Sequence, residues 1–254
     1  MSRYFFKLAY RGTAYHGWQI QENALTIQEI INKKLGLLVH DTLNVTGCGR
    51  TDAGVHAREF YFHVDLNQTL PYSLPDLIFR LNRFLPADIA VYNGWKVPSG
   101  THARFDAISR TYRYYIALQK NPFFNDFSLP LPGKLQPEAM RESSKYLLGK
   151  QDFTSFSKLH TDTKTNICTV TEAFWEQKEG LLIFTITADR FLRNMVRAVV
   201  GTLLEVGQEK ISPETVKEII LAKDRHAAGY SVPAKGLFLE KVRYPDSLQK
   251  IFKT

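Results

Sequence analysis

The chemistry-bearing residues of this chain concentrate in one stretch, GCGRTDAGVHA, residues 47–57. Its three glycines, Gly47, Gly49 and Gly54, imply a backbone that turns sharply and that something approaches closely. Inside that turn sit one carboxylate, Asp52, and one guanidinium, Arg50, two residues earlier. An aspartate in a glycine-rich turn ordinarily caps the turn through its own backbone, and taken alone Asp52 has no stronger claim than that. The string is not a phosphate-cradling loop, because the Gly-Lys-Ser/Thr ending is missing. Nor is it an aspartic-protease motif, which needs two carboxylates sharing a proton, and no matching second turn exists.

Two other stretches carry cations and aromatics in phase. In SRTYRYYI, Tyr112 and Tyr114 fall on one face of a strand with Arg110, and Arg113 and Tyr115 on the other. An aromatic beside arginines suits a flipped nucleobase, held by stacking and steered by phosphate contacts; a strand with one aromatic face in the core is the competing reading. In RFLRNMVRAVVGTLLEVG, Leu192, Met195, Val196, Val199 and Leu203 form an apolar stripe, so a helix is expected from about Phe191 to Val206, with Gly207 as its C-cap. On that helix Arg193 and Arg197, four apart, share a face, with Arg190 close to the same line. Solvated arginines at the edge of a core helix are the competing account. It is weakest for Arg197, embedded in MVRAVV, where a buried guanidinium needs a carboxylate partner. YRGTAYHGWQ, early in the chain, reads as a packed loop. His16, His56, His63 and His102 lack metal-ligand spacing, so no metal is expected.

These residues need a scaffold, and the pattern of the chain supplies one. Strands are expected at 3–10, 43–47, 58–66, 88–97, 109–118, 167–176, 181–188 and 236–244, with Lys178, Glu179 and Gly180 turning the 167–188 hairpin. Helices are expected from about Ile27, at 75–84, at 137–148, and from Pro213 behind an N-capping Ser212. Thr26 and Glu29 form a capping box for the first of these, Leu25 and Ile30 a hydrophobic staple, and Ile27, Ile30, Ile31, Leu35 and Leu38 repeat at helical spacing. VPSGTHARFDA reads as the crossover between an N-terminal α/β subdomain, 1–100, carrying the aspartate loop, and a C-terminal one, 101–254, carrying the tyrosine strand and the arginine helix. The fold class is α+β: two α/β subdomains whose mainly antiparallel sheets join into one extended sheet flanked by helices.

Bulk properties narrow the partner. The chain has 254 residues, 44% hydrophobic and 23% charged, which is ordinary for a folded protein and argues against disorder. A net charge of +8 points to a polyanionic partner, nucleic acid before membrane, or else simply to a lysine-rich surface. No apolar run reaches membrane-spanning length and no cleavable signal pattern is present. Two cysteines, Cys48 and Cys168, in unrelated contexts indicate neither a zinc site nor a disulfide framework and suit a reducing cytoplasm.

Taken together and in order, YRGTAYHGWQ, GRTDAGVHA, HARFDAISRTYRYYI, FLRNMVRAVVGTL and PAKGLFL resemble the TruA-type tRNA pseudouridine synthases over nearly the whole chain. Departures are small: Cys48 stands where a small residue such as alanine is common, and Lys235 where glutamine is frequent. SFSKLHTDTKTN, 155–166, is the least diagnostic part. The resemblance implies conversion of uridine to pseudouridine in the anticodon stem-loop of tRNA, at tRNA positions 38, 39 and 40. It implies no metal and no organic cofactor, a central RNA-binding cleft, and a homodimer in the cytoplasm. Asp52 matches the catalytic aspartate, Tyr112 the tyrosine that stacks on the target base, and Arg197 the basic residue that pairs with the aspartate. Arg50 matches an arginine that helps extrude the base. Arg104 of HARFDA, Arg193 and Leu237 of PAKGLFL are expected to contact substrate. Two rivals stand beside this reading. One is a non-catalytic RNA-binding protein, which gives Asp52 no role and lacks an RNP1-like string. The other is a metal-dependent nucleic-acid hydrolase using Asp52 and His56.

Overall fold

The computed structural model describes residues 1–67, 70–158 and 164–253. Residues 159–163, within the 155–166 segment, lie outside it. In chain order the elements are β1 Ser2–Tyr10, α1 Ile27–Val39, β2 Thr46–Gly47, β3 His56–Leu66, α2 Leu74–Phe84, β4 Ile89–Val97 and β5 Ser109–Ala117. They continue with β6 Leu129–Pro130, α3 Pro137–Ser144, β7 Gly149–Asp152, β8 Ile167–Lys178, β9 Leu181–Ala188, α4 Met195–Gly207, α5 Thr215–Ala222, β10 Leu237–Arg243 and α6 Asp246–Ile251. The protein is α+β. Its chain forms two compact units, Met1–Ile108 with Leu239–Thr254, and Ser109–Phe238.

In the first unit the strand order is β4-β1-β3-β10, with β2 paired to β3, and β1 runs antiparallel to both neighbours. Phe5 and Phe6 on β1 are adjacent in sequence, so they point to opposite faces, yet both are fully buried. Both faces of this sheet are therefore covered. Phe6 stacks on Phe62 at 5.1 Å, on one face. On the other, Phe5 meets Tyr244 and Phe252 of the C-terminal segment at 5.8 and 5.9 Å. Thr26 caps α1, its hydroxyl accepting the Glu29 amide, and Ile27, Ile31, Leu35 and Leu38 turn inward at the expected spacing.

In the second unit the order is β5-β9-β8-β7, antiparallel throughout, with β6 added parallel to β5. The β8–β9 hairpin closes on Glu179 (φ 51) and Gly180 (φ 78), two left-handed residues in succession, which is the turn whose twist matches paired strands. Helix α4 is apolar on nearly every side: Met195, Ala198, Val199, Val200, Leu203 and Leu204 are all fully buried. It packs against α3, where Gly207 leaves room for the Met140 side chain.

Several boundaries differ from expectation. Helix α4 starts at Met195, not Phe191, because Asn194 sits in the left-handed region (φ 67) and breaks the helical run before it. Its last residue is Gly207, and Gln208 provides the cap. Helix α5 starts at Thr215: the Ser212 hydroxyl bonds to the Glu214 carboxylate, and Glu214 is the N-cap. The helix expected over 137–148 is α3 followed by a 3-10 turn at Lys145–Leu147. Among the described residues no helix is long and apolar enough to cross a membrane.

Candidate active site

The aspartate loop joins β2 to β3 in the first unit. Arg50 is exposed and Asp52 half-buried, so both are accessible from the same short turn. What fixes the turn is a second loop, YRGTAYHGW. The Trp18 amide donates to the Thr51 carbonyl (3.3 Å) and the Gly54 amide to the Tyr15 carbonyl (3.2 Å). The Tyr10 and Thr51 hydroxyls lie 2.9 Å apart. The Gly12 amide donates to Nδ1 of buried His56 (3.1 Å), and the Val55 amide closes the turn on the Asp52 carbonyl (3.2 Å).

The same bracing loop also terminates α1. The carbonyls of Gly17 and Trp18 accept the amides of Ile27 and Gln28 at 3.2 and 3.0 Å, satisfying donors that a helix start leaves open. The Gly17–Trp18 segment thus bridges a helix end to the backbone beside Asp52. Only glycine permits it. A Cβ on Gly17, whose φ is +88, would lie 2.2 Å from the Thr51 carbonyl oxygen, and one on Gly12 would lie 2.0 Å from that of Val55. The expectation that YRGTAYHGWQ is a packed loop was incomplete. Two glycines spaced among aromatics, ahead of a glycine-rich turn, were the available signal of two backbones in contact.

Arg104 lies in the same unit on a separate loop, after β4. It is exposed, and its guanidinium carbon lies 5.7 Å from the Phe105 ring centroid. His56 and His63 are buried core histidines. Among the described residues no group of three or more His, Cys, Asp or Glu is placed to hold a metal ion.

The second unit carries the other candidates. On β5, Tyr112 is half-buried and meets Phe191 edge to face, centroids 5.1 Å apart at 85°. Phe191 was not singled out from sequence as a partner of Tyr112, although it lies only four residues before the helix carrying Arg197. Two residues along the same face, Tyr114 is fully buried and donates its hydroxyl to the Pro233 carbonyl (2.8 Å). On this face of β5 one tyrosine is in the core and one at the margin, and Tyr115 on the opposite face is buried as well. Arg110 donates to the Asp189 carbonyl (2.9 Å), and Arg113 pairs with Glu176 at 3.7 Å.

Arg197, half-buried on the first turn of α4, donates Nε to the Val232 carbonyl (2.6 Å) and accepts the Val232 amide on its own carbonyl (3.2 Å). Neighbouring carbonyls, Val232 and Pro233, thus anchor Arg197 and Tyr114, and the segment before β10 ties the arginine helix to the tyrosine strand. Arg193 does not share a helix face with Arg197. It is exposed and precedes α4 across the left-handed Asn194, whose side-chain Nδ2 donates to the Ser231 hydroxyl at 2.6 Å. Leu237 is buried at 5% exposure at the start of β10, and Lys235 donates to the Asn125 carbonyl at 2.9 Å. Cys48 and Cys168 are both buried.

These features define a class: a basic α+β enzyme with a carboxylate on a braced glycine loop and arginines grouped beside aromatics. A family described as tRNA pseudouridine synthase matches residues 144–245. The chain is 50% identical over 251 residues to tRNA pseudouridine synthase A of Parabacteroides distasonis, covering 98% of each chain. It is 46% identical to the protein of that name from Clostridium acetobutylicum, over 93% of this chain and 97% of the relative. Against the Bacillus subtilis protein of that name it is 38% identical over the same shares. The chain belongs to the tRNA pseudouridine synthase family.

Proposed function

We propose that this enzyme isomerises uridine to pseudouridine at positions 38, 39 and 40 in the anticodon stem-loop of tRNA, with Asp52 as its central chemical group. The observation that carries the reading is the placement of Asp52, accessible on a turn whose backbone is bonded to a second, glycine-dependent loop. A reaction that breaks one bond to C1′ of the ribose and makes another there needs a carboxylate held in one place. The bond from C1′ to N1 breaks, the base turns, C1′ bonds to C5, and the C5 proton is released while N1 regains one. No electrons are gained or lost overall, so the reaction needs no redox cofactor. Asp52 serves either as nucleophile at C1′ or in proton removal from the sugar.

The target base must first leave its stack, at a cost of roughly a few kcal/mol. Tyr112 is assigned as the stacking surface, contributing about 1–3 kcal/mol in return. Arg50 is assigned to extrusion, Arg197 as counter-ion to Asp52, and Arg104, Arg193 and Leu237 to substrate contact. The enzyme is assigned as a cytoplasmic homodimer acting without metal or organic cofactor.

The test is Asp52→Ala on an unmodified tRNA transcript carrying tritium at uridine C5. Tritium release should disappear while tRNA affinity is largely kept, and the wild type should be equally active in chelator. Release by the variant at the wild-type rate would remove Asp52 from the chemistry, and strict dependence on added metal would favour the hydrolase rival.

A further inference from the structure

The most exposed aromatic of the loop after β4 is Phe105, whose surface is 74% accessible. An exposed phenylalanine is ordinary when the chain around it is loose, but this one sits on a closely bonded turn. His102 Nδ1 accepts the amides of both Arg104 (3.1 Å) and Phe105 (3.2 Å). The His102 amide donates to the Asp106 carboxylate (2.8 Å), and the Asp106 amide returns to the His102 carbonyl (3.1 Å). The turn is also tied to the body of its unit. The Ala103 amide donates to His63 Nδ1 (3.1 Å), the Ala103 carbonyl accepts the Tyr244 hydroxyl (2.6 Å), and Arg3 donates to the Thr101 carbonyl (2.7 Å). Both imidazoles serve as acceptors and so must be neutral; burial lowers the pKa of each, to about 4 for His63.

The ring itself is presented with polar company. His102 lies under one side of it, centroids 4.2 Å apart and tilted 33°, and the Arg104 guanidinium lies 5.7 Å from its centroid. Three residues on, the Ile108 amide is held by the carbonyl of Arg243, whose own side chain is exposed. A large apolar ring fixed toward solvent beside an exposed arginine does not serve the core. Its chemistry matches a nucleobase, which has an apolar π-face and an anionic backbone beside it.

We propose that Phe105 is a second stacking platform, which holds an unpaired or unstacked base of the RNA substrate while Arg104 meets an adjacent phosphate. The proposal rests on RNA being the substrate and adds a base contact on the turn that carries Arg104. Since base–aromatic stacking is tolerant of base identity, Phe105 contributes affinity and placement rather than sequence choice.

The test measures tRNA-transcript affinity across a salt series, with tritium release in parallel, for Phe105→Ala, Phe105→Trp and Arg104→Ala. Phe105→Ala should raise Kd and KM by roughly 5- to 100-fold with kcat little changed, and Phe105→Trp should restore binding. The slope of log Kd against log salt should match wild type in both Phe105 variants and fall by about one phosphate contact in Arg104→Ala. Thermal stability should be unchanged, because the ring lies outside the core. Unchanged affinity in Phe105→Ala, or equal loss in Phe105→Trp, overturns the proposal. So does a loss accompanied by a change in sedimentation mass, which would assign the ring to a second copy of the chain. A wild type that isomerises uridine with a Phe105→Ala variant that binds normally refutes only this inference. A wild type that binds tRNA through Phe105 but releases no tritium refutes the assigned reaction instead.

Discussion

Replacing Gly17 with alanine should disable the enzyme without touching any residue assigned to chemistry. The new Cβ would lie 2.2 Å from the Thr51 carbonyl oxygen and 3.1 Å from the Asp52 carbonyl carbon. The Thr51–Asp52 backbone must withdraw by about 0.8 Å to reach 3.0 Å, the closest approach that real Cβ atoms tolerate. A displacement near 1 Å at a reacting group costs on the order of 100-fold in rate. Stability falls as well: holding alanine at φ +88 costs about 1–2 kcal/mol, and forcing a methyl into a filled contact about 1–3 kcal/mol more. For a chain of this size that is a Tm loss of roughly 4–20 °C. The assay is tritium release under saturating tRNA, well below the variant's Tm, with tRNA affinity measured separately. kcat should fall by about two orders of magnitude while Kd changes little, since Tyr112, Arg104 and Arg193, assigned to stacking and substrate contact, lie on other segments of the chain. Gly49→Ala is the control. It lies in the same loop as Asp52, nothing lies within 4 Å of its added Cβ, and it should retain near wild-type kcat. Full activity in Gly17→Ala, or an equal loss in Gly49→Ala, would refute the idea that backbone bracing positions the carboxylate.

Stability should also depend on pH through His63. Burial first, then Arg3 and His102, pull its pKa from 6.5 to about 4, so between those values the unfolded chain binds a proton that the folded one refuses. That contribution is intact above about pH 6.5 and is lost as pH falls toward 4, so Tm should drop across this window and His63→Asn should flatten most of the drop. A variant with an unchanged pH profile would place the acid sensitivity elsewhere. Both thiols should be inert in the native protein: they are buried, and burial pushes Cys168 up to about 12. A disulfide reagent at pH 8 should label neither before denaturation and both after it, and native labelling of either would contradict its placement.

Much of the secondary structure was legible because the relevant signals are local. The Thr26 cap, the α1 repeat, the Glu179–Gly180 turn and the β5 strand each depend on residues within a few positions of one another. The errors share a cause. Helix α4 reads as starting at Phe191 because its apolar stripe extends that far, but Asn194 turns left-handed and bonds Ser231, a residue 37 positions away. Short strands such as β6 and β7 lack periodicity of their own and are formed by pairing with β5 and β8.

The candidate site divides along the same line. Residue types, the carboxylate of Asp52 in one unit and the arginines and tyrosines of the other, could be read directly, and a resemblance supplied their roles. Their support could not be read, because it is carried by backbone groups. Gly12, Gly17 and Trp18 hold the aspartate turn through amides, carbonyls and the absence of side chains. Val232 and Pro233 hold Arg197 and Tyr114 through carbonyls that any residue would offer. An aspartate in a glycine-rich turn is unremarkable as a side chain. What sets it apart is that its turn is bonded to a loop that also holds the start of a helix, so moving the backbone beneath the carboxylate disrupts both. Side-chain substitutions at Asp52 test what the group does, and glycine substitutions at positions 12 and 17 test why it stays in place.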